Sequence, residues 1–203
     1  EKLAMASTTK IMTTLVAIES GRLDEKVKIS KRASYMEGSS IYLREGEVHT
    51  VNDLLYAIML RSGNDAATAV AEHIGGSVEG FAEMMNKKAR EIGASNTRFA
   101  NPHGLDADGH YTTARDLALI TCYALKNPMF SKIVSSKKKV MEGPPNENWD
   151  RVMINKNKML WQFAGGDGVK TGYTNRAGRC LVSSATRDGM RLVCVVLNCG
   201  PMW

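Results

Sequence analysis

The chain has 203 residues, of which 43% are apolar and 24% charged, with a net charge of +6. That length makes one domain, or one domain with a lobe inserted in it, and the balance is that of an ordinary globular protein. No stretch reaches the roughly 18 consecutive apolar residues of a membrane helix, and the densest basic run, Lys137-Lys138-Lys139, lacks the motif or interleaved aromatics of a nucleic-acid binder.

The first predicted element is a helix. Ser7-Thr8-Thr9 supplies N-cap chemistry, Ile11, Leu15, Val16 and Ile18 follow at helical spacing, and Gly21 stops it. A second helix reads over 51–60, with Leu54, Leu55, Ile58 and Met59 as its buried stripe. A third starts near Asp65 and ends at Gly75-Gly76. The fourth spans 78–92 and is closed by Gly93. A fifth, over 113–125, opens on a Thr cap. The pattern is poor between about 135 and 160, where Gly143-Pro144-Pro145 marks a loop. Then the character changes. Gly165 to Gly168 reads as a loop entering a strand at Val169, and β-rich runs at 179–186 and 190–197 flank the hairpin signal Arg187-Asp188-Gly189. Helices followed by a meander predict an α+β fold, an antiparallel sheet with helices packed on it.

The histidines and cysteines give no metal-ligand pattern. Cys122, Cys180, Cys194 and Cys199 include no C-x-x-C pair, and His49, His73, His103 and His110 no H-x-x-x-H spacing. Neither a metal nor a cofactor is expected.

Chemistry concentrates in three short patterns. Ser7-Thr8-Thr9-Lys10 is S-x-x-K, Ser62-Gly63-Asn64 is S-x-N and Lys170-Thr171-Gly172 is K-T-G. Singly they say little, because Ser7 reads equally well as a cap and Lys10 as a solvated helix face. In this order they form the signature of class A β-lactamases and penicillin-binding proteins. Ser and Lys at i and i+3 of a helix share one face, so the amine lies beside the hydroxyl. That amine serves as a base if desolvation or a nearby cation, here Lys170, lowers its pKa. A helix start adds N–H donors for a developing oxyanion.

On these motifs the chain resembles the low-molecular-mass D-alanyl-D-alanine carboxypeptidases, among the penicillin-recognising serine enzymes. The similarity continues through Gly38-Ser39-Ser40-Ile41-Tyr42-Leu43, Ser62-Gly63-Asn64-Asp65-Ala66-Ala67, Asn101-Pro102-His103-Gly104-Leu105, Thr112-Thr113-Ala114-Arg115-Asp116 and Asp167 to Thr174. The resemblance implies removal of the terminal D-alanine of peptidoglycan stem peptides through an acyl-enzyme, acylation by β-lactams, and action outside the cytoplasm at the cell envelope. It implies Ser7 as nucleophile and Lys10 as general base. Ser62 would relay a proton to the leaving amine and Asn64 would hold the substrate amide. Lys170 and Thr171 would engage the terminal carboxylate, and Gly172 would let the substrate lie against the strand edge. The N–H groups of Ser7 and Tyr173 would form the oxyanion hole. His103, Arg115 and Asp116 look family-typical but read as structural.

The family fold implies one catalytic domain over 1–203, with a mainly helical lobe inserted over roughly 24–130 and a sheet region over roughly 160–200. Six residues precede Ser7 where the family has strands, and the chain stops at Trp203 where the family continues with a helix, a second domain and a membrane-binding tail. The expectation is a piece trimmed at both ends, with any membrane attachment in segments outside it. Two other readings share the motifs. A β-lactamase needs a base for deacylation, and 101–105 holds no Glu, though Asp106 and Asp108 are near. A degenerate module would bind cell-wall peptides without cleaving them.

Overall fold

The structure, a computed structural model, describes residues 1–144 and 147–200. Pro145, the last residue of the predicted Gly-Pro-Pro loop, lies outside the described residues. No helix among those described is long and apolar enough to cross a membrane.

At the centre lies α1 (Lys10–Glu19), entered through a 3-10 turn over Ala6–Thr9. Every residue from Lys10 to Ile18 is buried. A helix buried on all faces has to be surrounded by other elements; α1 packs against α4 (Asn64–Gly75), α5 (Val78–Ile92), α6 (Ala114–Ala124) and α7 (Pro128–Ser135). The start of this helix differs from its sequence reading. Ser7 does not cap it: the hydroxyls of Thr8 and Thr9 donate back to the Met5 and Ala6 carbonyls at 2.6 and 2.8 Å. The predicted Thr cap does form, with Thr113 accepting from the Asp116 N–H, and Ser77 caps α5 by accepting from the Gly80 N–H.

Between α1 and α4 come β1 (Lys26–Lys28), α2 (Lys31–Ser34), β2 (Val48–Thr50) and α3 (Val51–Tyr56), with β1 and β2 paired antiparallel. The helix predicted over 51–60 changes winding part-way: Ala57–Arg61 is a π turn, closed by the Gly63 N–H on the Ala57 carbonyl, and it ends on Ser62 at φ +66°. A π turn followed by a left-handed residue is a common device at functional sites. It places Ser62 at the head of α4.

The stretch with no clear pattern begins where α7 ends and contains two strands, β3 (Lys138–Met141) and β4 (Arg151–Ile154), which pair with each other; α8 (Met159–Gln162) follows. The meander forms as expected. Strands β5 (Gly166–Thr174), β6 (Gly178–Arg187) and β7 (Met190–Cys199) pair antiparallel in chain order. Asp188 and Gly189, at φ +48° and +76°, make the two-residue turn between β6 and β7. Val193, Val195 and Leu197 of β7 face the core at period two, beneath helices α6 and α7 that cover this sheet. The other end of β5 lies against the 3-10 turn, and that contact builds the site.

Candidate active site

Ser7 and Lys10 straddle the junction between the 3-10 turn and α1. A 3-10 turn has three residues per turn, so positions i and i+3 eclipse. Lys10 Nζ therefore sits 3.0 Å from Ser7 Oγ. The same amine donates to Asn64 Oδ1 at 2.7 Å and to the His103 carbonyl. Lys10 has no exposed surface. Its pKa is held well below that of a free lysine, first by burial and then by the positive charge of Lys170, against a smaller opposing pull from Asp65.

A second hydrogen-bonded group faces the first. Lys170 Nζ, also buried, donates to Ser62 Oγ at 3.1 Å and to the Thr171 carbonyl at 2.8 Å. Burial, with Lys156 nearby, lowers its pKa to about 7. Gly172 closes the space between β5 and the nucleophile turn. A Cβ there would stand 2.9 Å from the Ser7 nitrogen and 3.1 Å from that of Thr8. Only glycine lets the strand edge come this near.

The structure thus brings Ser7, Lys10 and Asn64 together by hydrogen bonds, Lys170 onto Ser62, and Gly172 against Ser7, with Thr171 next in the strand. Tyr173, the following strand residue, is 61% exposed, and its hydroxyl donates to Asn175 Oδ1. Asn64 is already engaged on both ends of its amide, accepting from Lys10 and donating through Nδ2 to the Glu37 carbonyl at 2.7 Å. In this arrangement it holds the Lys10 amine, a duty the sequence reading did not give it.

This arrangement pairs a buried amine with a hydroxyl, and a buried cation with a strand edge. The family model for D-alanyl-D-alanine carboxypeptidase, peptidase S11, matches residues 1–200. The chain belongs to that family.

Two curated relatives illustrate the likeness. The D-alanyl-D-alanine carboxypeptidase DacF of Bacillus subtilis is 43% identical over 205 residues, covering 98% of this chain and 52% of the relative. DacC of Escherichia coli is 37% identical, covering 98% and 51%. The chain spans about half the length of these curated relatives. Among solved structures, the Streptomyces K15 DD-transpeptidase superposes with a TM-score of 0.91 at 36% identity, covering 97% of this chain and 81% of that one. The D-alanyl-D-alanine carboxypeptidase DacD of Francisella tularensis gives 0.90 at 34%, covering 99% and 60%.

Several parts of this cluster are invisible in the three motifs. The His103 and Glu37 carbonyls hold Lys10 and Asn64, and a backbone oxygen leaves no mark on residue identity. Gly38 and Gly104 did offer a signal. Each has positive φ, and a Cβ would stand 2.7 Å from Asn64 Nδ2 or 2.0 Å from the Ala6 carbonyl oxygen. Asp65, next to the S-x-N motif, accepts from Ser40 Oγ and from the Ile41 and Leu43 N–H groups, pinning the 40–43 loop. The middle Gly63 leaves room for that carboxylate, since a Cβ there would meet Asp65 Oδ1 at 2.7 Å. Asp116 is structural as expected, accepting from the Asn96 N–H and Thr97 Oγ1. Arg115 is exposed.

Proposed function

We propose that this chain carries the catalytic site of a serine D-alanyl-D-alanine carboxypeptidase, which removes the terminal D-alanine of peptidoglycan stem peptides through an acyl-enzyme on Ser7. The observation that carries the reading is the buried Lys10 amine, 3.0 Å from Ser7 Oγ and with a lowered pKa. A neutral amine has two N–H donors and one lone pair. Asn64 Oδ1 and the His103 carbonyl can only accept, so they take the two donors, and the lone pair is left for the Ser7 O–H.

Lys10 takes the Ser7 proton as Oγ attacks the penultimate carbonyl carbon. The oxyanion rests on the Ser7 and Tyr173 N–H groups. The proton that Lys10 took is handed on through Ser62 to the departing D-alanine nitrogen, which leaves Lys10 neutral again, and Lys170, bonded to Ser62, supplies the charge that favours this transfer. Lys170 and Thr171 receive the terminal carboxylate. A water, deprotonated by Lys10, then attacks the ester and frees the shortened peptide. The cleft in this reading lies between the sheet region and the helical lobe of a single catalytic domain. Its substrate is a wall polymer, which places the enzyme outside the cytoplasm at the cell envelope, and β-lactams acylate Ser7 in place of the peptide.

Peptides ending in D-Ala-D-Ala are expected to lose one D-alanine, and their C-terminal amides to react at least tenfold more slowly, about 1.4 kcal/mol for the lost ion contact. Chromatographic assay of released D-alanine measures both. Equal turnover of acid and amide contradicts the roles of Lys170 and Thr171.

A further inference from the structure

The residue before the nucleophile has an unusual backbone. Ala6 sits at φ +47°, a left-handed conformation that non-glycine residues adopt only when their surroundings hold them there. What holds it is a directed chain of hydrogen bonds. The Ala100 N–H donates to His110 Nδ1 at 3.0 Å. With Nδ1 accepting, the neutral ring carries its proton on Nε2, which lies 2.8 Å from Thr9 Oγ1. The Thr9 hydroxyl in turn donates to the Ala6 carbonyl at 2.8 Å. Thr9 has no exposed surface and His110 very little. Burial, with Lys10 adding to it and Asp106 opposing, lowers the His110 pKa to about 4, so the ring is neutral at pH 7.

Peptide planarity turns this chain into an aiming device. In a trans peptide the C=O of one residue and the N–H of the next point in opposite directions. The Ala6 carbonyl is fixed toward Thr9 and packed on Gly104, where a Cβ would be 2.0 Å from its oxygen. The Ser7 N–H must then point the other way. Gly172 lies against that nitrogen, where a Cβ would stand 2.9 Å away.

We propose that His110 and Thr9 are positioning residues that aim the Ser7 backbone N–H along the β5 edge, and so set the donor geometry of the oxyanion hole. The inference rests on the reading of Ser7 as an acylated nucleophile. Neither side chain touches substrate; both act through the Ala6–Ser7 peptide.

Stopped-flow acylation by a fluorescent penicillin separates the binding constant from the acylation rate k2. His110→Phe keeps a ring of similar size and loses both hydrogen bonds. It is expected to lower k2 by about 10- to 100-fold, up to the loss of one oxyanion donor, with the binding constant within about threefold of the parent's. His110→Gln, which keeps a donor and an acceptor, is expected to restore k2 to within about threefold. Thr9→Val repeats the loss and Thr9→Ser avoids it, so the chain remains testable if the Phe variant does not fold. Parent-like k2 in folded His110→Phe and Thr9→Val overturns the proposal, as does a k2 loss shared equally by Phe and Gln and tracking Tm. Long-range 1H–15N spectra of the parent give a readout independent of activity: an Nε2–H tautomer supports the chain and Nδ1–H overturns it. A parent that takes no label at all sinks the functional reading instead, and the ring nitrogens still judge the positioning chain.

Discussion

Lys10 is among the largest side chains in the protein with essentially no exposed surface, and it belongs to a residue type that is almost never fully buried without a partner. Its surroundings offer two acceptors, a hydroxyl and no carboxylate bonded to it, an environment that weakens proton affinity and suits a base. Lys10→Arg is expected to abolish penicillin labelling, a loss of at least 1000-fold or about 4 kcal/mol, because guanidinium stays protonated near neutral pH. Gel fluorescence measures it, and near-normal labelling would move the base elsewhere. Two of the buried histidines, His103 and His110, give a second residue-scale prediction. Burial, with Lys10 adding to it, lowers His103 to about pKa 3, and burial lowers His110 to about 4. In the unfolded chain both take up a proton below about pH 6.5. Between roughly pH 6 and 4.5 the unfolded state therefore binds more protons than the native state, and stability falls as pH falls, by about 1.4 kcal/mol per pH unit for each histidine. Urea midpoints across this range, with His103→Gln removing one histidine's share of the slope, measure the effect; a slope identical in parent and variant contradicts it. The chemistry-bearing residue types were legible because the i, i+3 spacing and the K-T-G order constrain side chains. Their backbone partners were not.

At the scale of elements, the long helices and the β6–β7 hairpin follow from apolar spacing, caps and an Asp-Gly turn, all local signals. Strands β3 and β4 escaped because their pattern is inverted. Val152 and Ile154 are 53% and 50% exposed, whereas Arg151 beside them is buried. Arg151 reaches from β4 to the 40–43 loop that Asp65 pins, donating through Nε to the Ile41 carbonyl and through Nη2 to the Tyr42 carbonyl, both at 3.1 Å. It also pairs with buried Glu47 at 2.8 Å, and Glu47 holds His49 at 2.9 Å. Burial would raise the Glu47 pKa, but the hydrogen bonds from Arg151 and His49 outweigh it and hold the carboxyl below its usual value. No sequence period announces a tertiary ion pair. Arg151→Met strands the Glu47 charge and two loop carbonyls, and is expected to cost about 3–5 kcal/mol. Chemical denaturation at neutral pH measures it; a change under about 1 kcal/mol would mean that the pair does not hold the loop.

For the whole molecule, the α+β architecture was readable because the meander and the helices occupy separate parts of the chain. The mutual placement of the 3-10 turn, the π turn and β5 was not, since it comes from contacts between residues far apart in the chain, 54 positions for Lys10 and Asn64 and 108 for Ser62 and Lys170. That packing has a consequence for β-lactams. The proposed acylation groups Ser7 and Lys10 are hydrogen-bonded, whereas the 101–105 segment contributes a carbonyl to Lys10 and no carboxylate. Asp106, just beyond it, is exposed and accepts from Thr174 Oγ1 at 2.9 Å. A β-lactam's leaving group stays tethered, and in the proposed reaction this denies the hydrolytic water both space and a separate base. The expected acyl-enzyme survives minutes or longer, a deacylation barrier of roughly 20 kcal/mol or more. Intact mass spectrometry after incubation with benzylpenicillin tests the central claim most directly. The account predicts a single covalent adduct, mapped by digestion to Ser7, persisting for minutes and absent from Ser7→Ala. A parent that remains unmodified, or a Ser7→Ala variant that carries the same adduct, would contradict it.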